Sequence, residues 1–272
     1  MGKLYVVGTP IGNLGDISPR GLETLEKVDF IAAEDTRVTL KLLNRFEIKK
    51  EMVSYFEHNK GLKDQFIIDR ILRGESCALV SDAGMPAISD PGEDLVRKCR
   101  EAGVEIESVP GPTAVATALA ISGFPTGRFC FEGFLSVNKL SRKEHLDELK
   151  QEKRTMVFYE APHKLQTTLK DMLAVFGDRE IALVKELTKI HENVFITTIN
   201  GALAEYEINP PKGEFVLIVK GATEVKEEYT LSDAVSIAKG LMDKGESASM
   251  SAKEAAKITG IKKGDIYKEI LN

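Results

Sequence analysis

Three turns rich in Gly and Pro stand out: Gly8-Thr9-Pro10-Ile11-Gly12-Asn13, Asp82-Ala83-Gly84-Met85-Pro86-Ala87-Ile88-Ser89-Asp90-Pro91-Gly92, and Pro110-Gly111-Pro112-Thr113. Each follows a short apolar run. In an open α/β sheet, ligands sit beyond the carboxyl ends of the strands. Glycine lets backbone come close to a ligand, and proline fixes the loop shape. One such turn needs no explanation beyond turning the chain. Three at one sheet edge would make a pocket with many backbone N–H and C=O groups, suited to a polar, folded small molecule. None has the dinucleotide spacing G-x-G-x-x-G or a phosphate loop ending G-K-[ST], which disfavours a nicotinamide enzyme or a P-loop NTPase.

Two charged stretches also end strands. Glu34-Asp35-Thr36-Arg37, taken alone, reads as an Asp helix cap with a surface Arg. Lys185-Glu186-Leu187-Thr188-Lys189-Ile190-His191-Glu192 is denser in polar groups than a strand end requires. His163, after Pro162, suits a helix cap as well as a site. His58 and His145 carry no assigned role, and Asp90 has a structural job as a helix cap.

The elements that must position these groups alternate. Leu4 to Val7, Phe30 to Ala33, Cys77 to Val80 and Val104 to Val109 read as buried strands. Helices open at Ser18-Pro19, run through Phe66 to Leu72 and stop at Gly74, and start again at Asp90-Pro91-Gly92-Glu93, which has capping-box spacing. This βα alternation predicts a largely parallel sheet with helices on both faces. After Gly127 come strands at Met156 to Tyr159, Ile181 to Val184, Val194 to Ile199 and Phe215 to Val219. A helix face at Leu165, Leu169, Met172, Leu173 and Phe176 ends at Gly177. The closer strand spacing points to a mixed sheet, with the boundary near Pro112 to Phe124. Beyond Gly221, polar Glu224 to Glu228 reads as a linker. A helix over Thr230 to Met242, a capping box at Ser251-Ala252-Lys253-Glu254, a break at Gly260 and a helix over Ile261 to Leu271 suggest a helix-turn-helix.

The chain has 272 residues, 43% hydrophobic, enough for one large core or two moderate ones. Its net charge of −5 excludes a protein-wide cationic field, so nucleic acid must be met by a local patch. Two candidates exist: Tyr229 to Asn272, with 7 Lys against 6 acids, and Lys139 to Arg154, with 6 basic and 4 acidic residues. Cys77, Cys99 and Cys130 are scattered and odd in number, which fits a reducing, cytoplasmic compartment. No apolar run reaches the ~18 residues of a membrane span.

On the three turns, the two charged stretches and Phe158-Tyr159-Glu160-Ala161-Pro162-His163, taken in order, the chain resembles the tetrapyrrole methylase superfamily, and within it the small-subunit ribosomal RNA methyltransferase I branch. The resemblance covers essentially the whole chain. It implies an α/β fold of two α/β subdomains (1–115 and 116–223) with the cofactor S-adenosylmethionine in the cleft between them, a helical segment over 229–272, and a homodimer. Carried onto this sequence, the cofactor would be met by Asp82, Ala83, Gly84, Met85, Pro86, Thr113, Ala114, Tyr159 and Gly213, with Gly8 and Pro10 at the cleft. The substrate, small-subunit ribosomal RNA or the assembled subunit, would be met by Glu34, Arg37, Thr188, His191, Glu192, Lys262 and Lys263. The C-terminal helices would either dock RNA or pack the dimer.

The implied reaction moves a methyl group from a sulfonium to the 2′-oxygen of a cytidine ribose in the decoding region. It requires alignment, exclusion of water and a proton acceptor, but no metal. A Glu can accept directly; a Lys must first have its pKa lowered. Lys185 and Glu186 are the first candidates and Asp35 the second. The same scaffold acting on a small tetrapyrrole, and a non-catalytic RNA-binding assembly factor, are the alternatives, since fold does not fix function.

Overall fold

A computed structural model describes residues 2–56, 60–223 and 229–271. His58 and the linker reading over Glu224 to Glu228 lie outside the described residues. The described chain divides into two units, Met1–Ala222 and Thr223–Asn272.

The first unit holds two sheets. Strands β1 (Lys3–Val7), β2 (Phe30–Ala33), β3 (Glu51–Ser54), β4 (Cys77–Val80) and β5 (Glu105–Val109) are all parallel, in the order β3-β2-β4-β1-β5. Helices α1 (Pro19–Lys27) and α2 (Thr36–Arg45) cover one face over Val7, Leu25, Ile31 and Leu43. Helices α3 (Lys60–Leu72) and α4 (Glu93–Glu101) cover the other over Leu4, Phe30, Ile67 and Leu95. Alternate strand residues thus feed two cores, which is why β2 and β4 are apolar and buried throughout. Because the strands are parallel, every loop after a strand opens at the same edge.

Helix α5 (Ala114–Ile121) occupies the predicted boundary and leads to the second sheet. That sheet comprises β6 (Phe129–Phe134), β7 (Thr155–Glu160), β8 (Glu180–Lys185), β9 (Asn193–Thr198) and β10 (Phe215–Val219), in the order β6-β7-β10-β8-β9. It is mixed, as expected: β6 pairs parallel with β7, and the remaining pairs are antiparallel. Helices α6 (Lys139–Glu148), α7 (Leu165–Phe176) and α8 (Ile199–Ile208) lie in chain order between these strands. One core gathers Leu146, Leu169, Met172, Ile199 and Tyr206 over one sheet face; Ala118 and Leu119 of α5 join a core with Val157, Ala182 and Val216.

The second unit is α9 (Leu231–Met242), α10 (Ala248–Thr259) and α11 (Lys263–Leu271), packed around Ala234, Ala238, Ala252, Ala255 and Ile266. Among the described residues no helix is long and apolar enough to cross a membrane.

Three sequence readings need correction. Helix α4 begins at Glu93 with Gly92 as its cap and no side-chain cap bond, so Asp90 is not a helix cap. Helix α10 begins at Ala248, three residues before the expected capping box. Ser247 caps it, and Ser251 is buried inside with its hydroxyl unpartnered. Strand β9 stops at Thr198, whose side chain caps α8, so Ile199 is helical.

The first turn is fastened to the other two. Thr9 and Gly84 exchange backbone hydrogen bonds, 2.9 and 3.1 Å, and the Thr9 hydroxyl donates to Ser81 O at 3.1 Å. Gly8 N donates to Val109 O at 3.0 Å. A Cβ on Gly8 would stand 2.7 Å from Gly111 Cα, and one on Gly111 would stand 2.8 Å from Gly8 O. Backbone cannot yield as a side-chain tip can. Gly8→Ala and Gly111→Ala should each cost about 1–3 kcal/mol of unfolding free energy in urea titration, the usual range for overpacking. An unchanged midpoint and slope for both would show that the contact is slack.

Candidate active site

A cavity of about 250 Å³ lies between the two sheets, at the carboxyl ends of β1, β4 and β5. Asp82 to Met85, Thr113, Ala114, Tyr159 and Glu186 line it, and so does Glu34. The carboxyl ends of β1, β2, β4, β5, β7 and β8 therefore converge on one space.

Each wall has a local cause. At the ends of β2 and β4, Asp82 N donates to the Glu34 carboxylate at 3.3 Å and Asp35 N donates to Asp82 Oδ1 at 3.0 Å. These reciprocal bonds tie the second loop to the neighbouring strand. Tyr159 accepts from Val115 N at 3.0 Å, fixing the start of α5 against the second sheet. The 186–192 loop braces itself: Lys189 N donates to Glu186 O at 3.0 Å, Lys189 Nζ reaches the Glu186 carboxylate at 3.1 Å, and Thr188 N donates to Glu192 at 2.7 Å. Glu186, Thr188 and Ala87 have φ of 53°, 65° and 65°. Non-glycine residues in the left-handed region cost energy and persist where surrounding structure holds them, often at functional loops.

Several expected site residues act without lining the cavity. Gly8 is needed for close packing on Gly111, and Pro10 and Pro86 are buried. Gly213 makes room for Glu186, since a Cβ there would collide with its carboxylate. Lys185 ends β8, paired with Phe215 and Asn193, and lies outside the lining. Asp35 caps α2 through Arg37 N at 2.8 Å and grips the Arg37 guanidinium at 2.6 Å. Those bonds hold its carboxyl down to about 2, which makes it a poor proton acceptor. Arg37 is itself largely exposed. His163 and His191 are exposed, and Glu192 is engaged with Thr188 N. Lys262 is exposed at the turn before α11, whereas Lys263 bonds Ser249 at 3.0 Å. In the Lys139 to Arg154 patch, Arg142 is buried on Asp171, and Arg154 pairs with Glu152. Two of its cations are therefore already engaged.

Sequence reasoning missed Asp90 because its D-x-x-E spacing mimics a capping box. Asp90 instead lines the cavity, as do Ile88 and Phe134. The lining is strongly acidic: Glu34, Asp82, Asp90, Glu160, Glu186 and Glu214 face a single base, Lys189, among the described residues. Burial raises the carboxyls of Glu34, Asp82 and Asp90 above the ordinary range, against opposing hydrogen bonds, and nearby carboxylates add to the rise: Asp82 and Asp90 at Glu34, Asp35 at Asp82, and Asp82 and Glu214 at Asp90. Such a cavity favours an organic cation over an anionic nucleotide.

The raised carboxyls give a pH test. A raised native value stabilises the fold below the ordinary carboxylate range, and that contribution is lost as pH rises through the raised value. At neutral pH ionised Asp90 therefore costs stability. Asp90→Asn should raise the thermal midpoint of the ligand-free protein at pH 7, and the gain should shrink as pH falls and Asp90 protonates. The same change should weaken binding of a cationic ligand. A variant less stable at pH 7 with unaltered cation affinity would remove Asp90 from this role.

Comparison with known proteins agrees with this geometry. Residues 3–202 match the family model "Tetrapyrrole (Corrin/Porphyrin) Methylases". The chain is 45% identical to a Ribosomal RNA small subunit methyltransferase I of Synechocystis sp., over 98% of this chain and 96% of that protein. It is 47% identical to the protein of the same name from Thermotoga maritima, over 81% of this chain and 99% of that one. That 221-residue match leaves 51 residues over here, close in size to the C-terminal unit Thr223–Asn272. In fold, a uroporphyrin-III-C-methyltransferase from Thermus thermophilus superposes with a TM-score of 0.58 at 21% identity, covering 81% of this chain and 94% of that one. The family model matched over residues 3–202 and relatives 45% and 47% identical over most of both chains place this chain in the tetrapyrrole methylase family, in its ribosomal RNA small subunit methyltransferase I branch.

Proposed function

We propose that this protein methylates small-subunit ribosomal RNA, at the 2′-hydroxyl of a cytidine ribose in the decoding region. The observation that carries the reading is Glu186: it stands in the acid-lined cavity, on a braced loop at the carboxyl end of β8, in a chain whose relatives bear that name. The family's methyl donor is S-adenosylmethionine, which supplies a methyl group already activated on a sulfonium. The residues present suit it, since its positive charge would meet the carboxylates of Glu34, Asp82 and Asp90. Backbone of Ala83 and Ala114 offers hydrogen bonds to its polar edges, while Gly84, whose N–H and C=O are held by Thr9, keeps the turn in shape.

The work left to the protein is alignment and proton acceptance. Effective molarity from alignment alone accounts for about 7–11 kcal/mol in well-oriented reactions. The ribose hydroxyl is a weak nucleophile, and Glu186 is placed to take its proton. Lys189 and the space at Gly213 hold that carboxylate in position. Lys185, outside the lining, would steady the loop and attract phosphate. Arg37, His191 and exposed Lys262 are the groups most open to RNA. An unpaired, splayed nucleotide would bring its ribose hydroxyl to the mouth of the cavity while its phosphates stay outside the acidic lining, and sequence-specific RNA recognition usually uses such a nucleotide. Exposed Ile121, Phe129 and Ile196 offer apolar surface for a homodimer. A cytoplasmic location follows from the substrate.

The test is transfer of labelled methyl to isolated small subunits and to free ribosomal RNA, followed by mapping. Label at one cytidine, with the adjoining phosphodiester resistant to alkali, is expected. Glu186→Gln should lower turnover by about 10²–10⁴-fold, the usual worth of a general base, while cofactor binding in calorimetry persists. RNA binding without transfer would leave a non-catalytic assembly factor. Near-normal turnover of the variant would remove Glu186 as the proton acceptor.

A further inference from the structure

The edge strand β6 carries an irregularity that the fold itself does not require. Its register with β7 runs Phe131 to Val157, then jumps to Gly133 opposite Phe158 and Phe134 opposite Tyr159. Glu132 is the extra residue of a β-bulge, and its carboxylate turns to His145 at 2.9 Å. In a regular strand, residues 131 and 134 would point to opposite faces. Here both rings lie on Tyr159, at centroid distances of 4.9 and 5.4 Å and angles of 65° and 64°. Gly133 follows the bulge at φ 63°, a conformation side chains resist.

The effect is to place Phe134 on the lip of the cavity. It lines the space yet is 53% exposed, so the ring is steadied by its tilted contact with Tyr159 while much of it stays open to solvent. Ile88 also lines the cavity and is 61% exposed. The two loops are close, for a Cβ on Gly133 would stand 3.8 Å from Ser89 Oγ. Bulges beside active sites commonly re-aim a side chain. Tyr159 is less free than Phe134, because its hydroxyl accepts from Val115 N and its ring packs against both Phe131 and Phe134.

We propose that Phe134, aimed by the bulge at Glu132 and backed by Tyr159, is the platform on which the unpaired nucleobase of the RNA acceptor stacks, with Ile88 as the opposing apolar jaw. The inference rests on the RNA-methylation reading above. The occupant follows from the ring itself: an aromatic side chain that lines the cavity and is exposed to solvent is open to an incoming macromolecule. A flat, uncharged face also suits a nucleobase, which stacks on aromatic rings whatever its sequence. Phe134 makes no bond in the reaction and acts by holding the nucleotide so that its ribose faces Glu186.

The test is steady-state methyl transfer to small subunits by the wild type, Phe134→Ala, Phe134→Leu and Phe134→Tyr, with S-adenosylmethionine affinity measured separately by calorimetry without RNA. Phe134→Ala should raise the KM for RNA about tenfold or more, within the range of one lost base–aromatic stack. Phe134→Tyr should restore it and Phe134→Leu should not, since Leu replaces apolar area but not a flat face. Cofactor affinity should be the same in all four. An unchanged KM in Phe134→Ala would overturn the proposal, and so would full rescue by Leu. An equal loss of cofactor affinity would assign the ring to the cofactor instead. Absence of transfer by the wild type would sink the RNA-methylation reading itself, an outcome distinct from these.

Discussion

The site depends on one small set of backbone contacts, the Thr9–Gly84 bridge and the abutment of Gly8 on Gly111. They join three turns that leave three different strands. Without them each turn would be a loop free to sample many shapes, and ordering it on ligand binding would cost conformational entropy. With them, the carboxyl ends of β1, β4 and β5 form one surface before any ligand arrives. The remaining walls are then added from the second sheet. Tyr159 is tied to the start of α5, and Gly12 of the first turn lies against the 186–192 loop, where a Cβ would approach Leu187 O to 3.0 Å. The cavity is therefore a product of turn-to-turn packing rather than of any single loop.

That preorganised space is filled with carboxylates that pay a desolvation cost. Glu34, Asp82 and Asp90 are held with raised pKa values, and three non-glycine residues of the surrounding loops sit in the left-handed region. A protein selected for stability alone would remove both features. Their clustering around one cavity fits a site that stores unfavourable charge until a cation relieves it. It also separates this pocket from those of nucleotide enzymes, whose phosphates require the opposite field.

Four strands of the first sheet were legible in the sequence, but its edge strand β3, with one buried residue in four, and the edge strand β6 of the second sheet were not. Continuous apolar strands separated by capped helices leave few alternatives, and the three turns announced the pocket. The mixed nature of the second sheet showed in its strand spacing. Asp90 did not show, because D-x-x-E can be either a cap or a coincidence and only the position of α4 decides. Phe134 was equally hidden: a bulge changes which face a residue occupies, and period-two reasoning assumes there is none. Asp35 reversed its standing, since the ordinary cap-and-arginine reading of Glu34 to Arg37 describes its carboxylate best. Ser251 misled for the reason Asp90 did, as S-x-x-E recurs inside helices. In each case the local pattern was present and the tertiary setting chose among its meanings.

Amide hydrogen exchange at Thr9 and Gly84 tests this account most directly, because both N–H groups belong to the bridge that joins the first two turns. If the site is preorganised, both amides are strongly protected in the ligand-free protein, close to the level of the β1 and β4 core, and cofactor adds little. Rapid exchange of both in the free protein, with protection gained only on binding, would contradict it and make the cavity a product of its ligand.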